Sequence, residues 1–359
     1  MKSMKNVLAF TAVFFLAVSS IFAAKSASVK TEVDSFDKHG NINLKITGNL
    51  FSANDFGLGD LVSVKVGSFK FDAAIGKNYT DVDNGDYLVR VNEQEVSLAI
   101  NMGNLEQKSG AKIGDTVVIT MKEKLGYLRT YQSRLLKKSE RRADYDMDEV
   151  FANWRPVKVG KIAENRLYRS VNPIGGDSRA PYAADLLSKT GVQTIVNLAD
   201  TESSGAGKMS MLPFYSNLAT KGNVVFLNMG AAYKDKVFAK KLNAALHFMA
   251  NHPGPYLVHG KEGRIRTGFV CAVLEALSGA TIEEMNNDYM LSYENLYGLK
   301  KTSTQYFAIS KSVSQMFIDI SGGKKVTDSN VQSLAELYLT KTVGLSSEDI
   351  AKLKKNLQE

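Results

Sequence analysis

One stretch constrains this chain more than any other: Tyr256-Leu257-Val258-His259-Gly260-Lys261-Glu262-Gly263-Arg264-Ile265-Arg266-Thr267-Gly268. An apolar run ends at a histidine, a loop carrying Gly260 and Gly263 follows, and an arginine and a threonine open a long apolar segment. A strand that feeds a helix through so short a loop gathers backbone N–H groups around one point. The helix N-terminus aims its positive end at the same point, and the guanidinium of Arg266 can clamp two oxygens there. The expected object is an anion cradle, and the expected fold around it is α/β.

The residues on either side agree. From Trp154 onward the pattern alternates strand and helix, with short strands over 157–162 and 166–169, a helix over 180–189, and strands over 194–198 and 224–228. An amphipathic helix over 237–251 precedes the strand 256–258, and helices over 267–278 and 282–292 follow it. Such alternation predicts a parallel sheet with helices on both faces, in which ligands sit at the carboxyl ends of the strands. The loop from His259 to Arg266 falls at such an end. The tail, 302–357, reads as helical, with a helix start at Ser346-Ser347-Glu348-Asp349.

The earlier part of the chain is different. All six prolines lie at Pro156 or later. Before them, 41–47, 61–66, 70–75, 87–91, 95–101 and 116–122 alternate apolar and polar residues, separated by turns such as Asp83-Asn84-Gly85-Asp86. Many short strands at regular spacing predict a small β-barrel. The resulting division is a leader over 1–24, a barrel over 30–125, a charged linker over 126–153, an α/β domain over 154–300 and a helical extension over 301–359. The linker carries Arg129, Arg134, Lys137, Lys138, Arg141 and Arg142 ahead of an acidic run, the pattern of a solvated connector or of a basic docking face.

Lys2 and Lys5, an apolar core over 7–18 and small residues up to Ala24 read as a cleaved export signal, which implies a periplasmic, extracellular or cell-surface protein. No later stretch is long enough to span a membrane. With 44% apolar and 23% charged residues the chain is globular rather than disordered, and a net charge of +8 favours acidic partners. The single cysteine, Cys271, lies in an apolar helical run about three turns beyond the loop, so it reads as a buried thiol. The four histidines have no metal-ligand spacing, and neither metal, cofactor nor nucleic acid is expected.

The loop resembles the signature of cysteine-dependent protein tyrosine and dual-specificity phosphatases: histidine, cysteine, five residues, arginine, then threonine or serine. Arg166-Leu167-Tyr168-Arg169-Ser170, Gly191 through Asp200, and Asp288 through Glu294 extend the resemblance to bacterial members of that superfamily. It implies hydrolysis of phosphate monoesters through a cysteine thiolate. It also assigns roles: Arg266 as phosphate clamp, the N–H groups of Lys261, Glu262, Gly263, Arg264, Ile265 and Arg266 as cradle, Thr267 as the hydroxyl that steadies the thiolate, and His259 as the residue that fixes the loop and lowers the thiolate pKa. Two positions depart from the pattern. Gly260 stands where the nucleophilic cysteine would, and Ile265 where many relatives place an acidic residue. Asp235 is the remaining general-acid candidate, alongside a plainer role as a loop carboxylate near a helix start.

Three readings stay open. The chain is a pseudophosphatase that holds a phosphorylated protein, phosphoinositide or small phosphate ester without cleaving it; or it is an active lineage altered at Gly260 and Ile265, as a substrate trap would be. In the third, function lies in the barrel. Asn78 through Asp83, Leu98 through Asn104 and Gly110 through Asp115 resemble the C-terminal barrel of S-adenosylmethionine hydroxide adenosyltransferases, which implies nucleoside or partner binding beside a vestigial loop.

Overall fold

The computed structural model describes residues 27–359, and the leader expected over 1–24 lies outside them. The described residues form two compact units, parted between Gly126 and Tyr127. The first is a closed barrel of β1 (Ser28–Phe36), β2 (Ile42–Leu44), β3 (Leu61–Val66), β4 (Phe69–Gly76), β5 (Tyr87–Val91), β6 (Val96–Ile100) and β7 (Thr116–Glu123). The strands run in the order β1-β2-β6-β5-β4-β3-β7, and β7 pairs back onto β1. Period-2 alternation fills the interior: Val62, Val64 and Val66 of β3 point inward with Val29, Val33, Leu98 and Ile119. Two short helices, α1 (Gly48–Ala53) and α2 (Leu105–Ser109), start at the side-chain caps Thr47 and Asn104. Sequence patterning found β3 and β5 to the residue and overlapped four further strands, but it passed over β1.

The second unit begins with α3 (Leu128–Arg134), α4 (Asp148–Phe151), β8 (Arg155–Pro156), β9 (Leu167–Ser170), α5 (Ala180–Ser188) and β10 (Thr194–Asn197). There follow α6 (Glu202–Met209), α7 (Pro213–Thr220), β11 (Val224–Phe226), α8 (Lys236–Asn251), β12 (Tyr256–His259), α9 (Ile265–Leu277) and α10 (Ile282–Tyr297). The sheet order is β11-β10-β12-β9-β8. Four strands are parallel as expected; β8 is antiparallel to β9. The stretch between β8 and β9 carries no helix and is too short for a parallel crossover, so the chain turns back on itself. The strand expected over 157–162 is this return.

Helices cover both faces. Leu187, Tyr215 and Leu218 pack on one side with Ile195 and Leu257, while α8 and α9 pack on the other. Helix α9 is buried from Thr267 through Leu277, as its lack of a polar face requires. Two regions differ from the expected division. The charged segment 127–153 belongs to the second unit: Tyr145 Oη donates to the Leu296 carbonyl (3.0 Å) and Lys138 pairs with Glu262 (2.9 Å). Lys138, Arg141 and Arg142 pair with Glu262, Asp144 and Asp148 within that unit. The segment 202–211, for which no helix was expected, begins with α6, capped by Thr201.

The tail is part of the core. Helices α11 (Thr304–Ser310), α12 (Ser312–Ile320), α13 (Val331–Tyr338) and α14 (Ser347–Gln358) place Val313, Tyr338, Leu353 and Leu357 in one cluster with Leu246, Val270 and Leu274. Leu353 has no exposed surface. Leu353→Ala should therefore destabilise the α/β unit by about 2–5 kcal/mol, measured by urea denaturation; a cost within experimental error would mean the tail is dispensable.

Candidate active site

The parallel register aligns His259 at the end of β12 with Asn197 on β10 and Ser170 on β9. The chain leaves this level edge, turns through residues 260–264 and enters α9. Gly263 makes the turn possible. Its φ is +63°, and a Cβ there would lie 2.2 Å from the Ser170 carbonyl oxygen. Only glycine fits.

A buried polar group holds the loop from behind. Arg169 donates through Nη2 to the carbonyls of Gly263 (2.9 Å) and Arg264 (3.3 Å), and Asn153 donates to those of Glu262 (2.9 Å) and Gly263 (3.3 Å). Asp288 joins Arg155 (2.9 Å) and Arg169, all within the protein. Burial works to raise the Asp288 pKa, but the guanidiniums of Arg155 and Arg169 hold it well below the usual carboxylate range. Burial and the Asp288 charge instead raise the Glu275 pKa well above its ordinary value, and both of its buried oxygens are without a hydrogen-bond partner among the described residues.

Each peptide is planar, so carbonyls tied down on one side turn their neighbouring N–H groups to the other. The amides of Lys261, Glu262, Arg264, Ile265 and Arg266 make no backbone hydrogen bond among the described residues. That of Gly263 differs from expectation and donates to Gly260 O at 3.3 Å. The loop lines a cavity of about 400 Å³ together with Met229, Gly230 and Ala231. Arg266 Nη1 donates to the carbonyls of Met229 (2.6 Å) and Leu198 (3.1 Å). This anchors the guanidinium and leaves the Nε–Nη2 edge, the one suited to two oxygens, without a partner among the described residues.

Asp200, to which the sequence reading gave no role, supplies the compensating charge. Burial raises its pKa, but bonds from Lys208 (2.6 Å), Asn197 (3.1 Å) and Asn172 (2.7 Å) prevail and keep it ionised. The usable signal was a carboxylate placed just past an apolar strand, level with the loop. His259 is fully buried, and burial pushes its pKa down to about 3 against the pull of Asp200. Tyr215 Oη accepts from Asn197 (3.1 Å) and lies 3.0 Å from His259 Nε2. The hydroxyl and the neutral ring share one hydrogen bond whose donor is set by the ring tautomer, and Nδ1 has no partner among the described residues.

The structure does not bring every candidate together. Asp235 precedes α8 and lines a separate cavity with Lys234, Lys236, Lys240 and Asn243, away from the cradle. Ile265 stands exposed at the mouth. Glu262 lines the cavity, but Arg264 (3.0 Å) and Lys138 (2.9 Å) overcome its burial and keep it charged. Arg264 lines the cavity as expected, while its guanidinium lies over the rings of Tyr293 and Tyr297. Cys271 is fully buried in α9, and burial pushes its thiol up to about 12.

Gly260 faces a buried hydroxyl. A Cβ on Gly260 would meet Thr267 Oγ1 at 3.0 Å and then only Leu198 Cβ at 3.9 Å. Thr267 Oγ1 is buried and has no hydrogen-bond partner among the described residues. Among the same residues there is no group of three or more histidine, cysteine or acidic side chains that could hold a metal, and no helix long and apolar enough to cross a membrane.

The neutral His259 links stability to pH. The unfolded chain binds a proton near pH 6.5 that the folded chain takes up only near pH 3. This contribution is fully present above pH 6.5 and is lost as pH falls toward 3. Urea titrations at pH 7 and pH 5 should show lower stability at pH 5. His259→Gln should flatten that slope, and an unchanged slope would contradict the assignment.

Residues 152–359 match the tyrosine phosphatase family, and residues 31–118 match the C-terminal domain of SAM hydroxide adenosyltransferases. No protein of curated function matches the chain. Among solved structures, an uncharacterized conserved protein from Thermotoga maritima is 34% identical over 26% of this chain and 36% of its own, with a TM-score of 0.25. A conserved hypothetical protein from Thermus thermophilus is 21% identical over 25% and 34%, with a TM-score of 0.20. The chain thus spans about a third of the length of these two relatives. The core catalytic domain of the PP-IP phosphatase SIW14 from S. cerevisiae, solved with citrate, is 16% identical over 54% of this chain and 88% of its own, with a TM-score of 0.29. With more than half of its length matched, this chain belongs to the tyrosine phosphatase family.

Proposed function

We propose that this protein binds a phosphate monoester in the loop from His259 to Arg266 and does not turn it over by the covalent route. The observation that carries the reading is the state of the cradle at Gly260. The amides, the anchored Arg266 and the α9 N-terminus are in place, while the residue that should attack phosphorus has no side chain. Forming a phosphoenzyme divides one difficult displacement into two easier ones, and that division needs a nucleophile. Leaving-group protonation is missing as well, because Asp235 lines another cavity and Glu262 is held ionised.

Binding is a separate matter. A thiolate and a phosphate dianion repel, so the glycine removes an unfavourable charge from beneath the ligand. The basic surplus of +8 also favours association with an anionic partner, and the export leader would place that partner outside the cytoplasm. Calorimetry should detect phosphate binding that Arg266→Ala abolishes. A chromogenic aryl phosphate should be hydrolysed only after Gly260→Cys with Ile265→Asp, which supply nucleophile and acid. Hydrolysis by the unaltered chain would refute the reading.

A second reading is favoured by the barrel. Its cavity of about 620 Å³ is lined by His39, Asn41, Tyr79, Asn101, Asn104 and the exposed Met102, whose φ is +59°. A polar-rimmed pocket with an aromatic ring suits a nucleoside. Adenosine should then raise the melting temperature of the whole chain where phosphate does not; an unmoved melting curve would count against it.

A further inference from the structure

We propose that Thr267 is a binding residue: its hydroxyl forms the floor of a deepened oxyanion seat. A phosphoryl group there lies lower than a thiolate would permit, with one terminal oxygen accepting from Thr267 Oγ1. The proposal rests on the phosphate-binding reading above and specifies the pose of the ligand.

Thr267 is 1% exposed, and its Oγ1 has no partner among the described residues. A buried hydroxyl without an acceptor is costly, so an acceptor brought by a ligand is favoured. The space in front of it is the place of the absent side chain, since a Cβ on Gly260 would come within 3.0 Å of this oxygen. Nothing else crowds that position until Leu198 Cβ at 3.9 Å. From the other side the Nε–Nη2 edge of Arg266 is unoccupied. A monoester has three terminal oxygens. Two meet the Arg266 fork, the third enters the gap at Gly260, and the ester oxygen faces the mouth beside Ile265. The ligand class is therefore a tetrahedral dianion: inorganic phosphate, sulfate or the phosphoryl end of a monoester. The same pose fills the space from which a nucleophile would approach, so it holds the ester in an unreactive arrangement.

Calorimetric titration of the whole chain with inorganic phosphate tests this, with circular dichroism confirming that each variant is folded. Thr267→Val keeps the shape and removes the hydroxyl, and it should weaken binding by about tenfold or more. Thr267→Ser should bind as the unaltered chain does. Gly260→Ala closes the gap with an uncharged methyl group and should cost a similar factor; adding Thr267→Val to it should change little. Where Thr267→Val fails to fold, Gly260→Ala decides. Unchanged affinity in Thr267→Val and Gly260→Ala, with binding still abolished by Arg266→Ala, would overturn the deepened seat and leave the cradle standing. If phosphate gives no heat with the unaltered chain, both fall.

Discussion

The carbonyl of Gly263 is the point on which this architecture turns. It accepts hydrogen bonds from Arg169 and Asn153, and Asp288 fixes Arg169 in turn. The Arg169 bonds are charge-assisted, and all of these bonds lie in a buried region, where each is stronger and its loss more costly than at a surface. Removing Asp288 would leave Arg155 and Arg169 buried without their counter-charge, so the ion group cannot be taken apart piecemeal. The cradle is the front of this assembly. The amides of Arg264 and Ile265 turn away from that clamp because the opposite ends of the same peptides, the carbonyls of Gly263 and Arg264, are held from behind.

Charge is distributed accordingly. Behind the loop, Asp288 balances two guanidiniums, and burial together with its charge raises the Glu275 pKa beside it. In front, Asp200 faces Arg266 and His259, and Lys208 in α6 pairs with it. His259 is neutral, so the positive character of the cavity comes from Arg266, the helix end and the loop amides, and it persists across the ordinary pH range.

How far the sequence discloses this depends on which forces decide each part. The barrel strands β3 and β5 and the helix α8 were legible because alternation and amphipathic period report burial directly. The His259-to-Arg266 loop was legible because glycine, arginine and the adjoining apolar helix leave few conformations open. Strand β8 was not, because its direction follows from the length of the return to β9 rather than from its residues. The roles of Asn153, Arg155 and Asp288 were hidden for a similar reason: they lie far apart in the chain and acquire meaning only when the sheet edge and α10 bring them together. Asp235 misled in the opposite way. A carboxylate between a strand and a helix fits a family pattern, but here the backbone carries it to another cavity.

The support of the loop and the surroundings of Gly260 rest on different contacts. A side chain at position 260 would touch Thr267 Oγ1 and approach Leu198, and neither belongs to the group that clamps the Gly263 carbonyl. Replacing that side chain by hydrogen therefore leaves the ion group, the turn at Gly263 and the anchoring of Arg266 to Leu198 and Met229 without a lost contact. The position at residue 260 and the support of the pocket depend on atoms that do not touch. What connects them is Thr267 Oγ1, a buried hydroxyl whose missing partner must come from the protein or from whatever the protein holds.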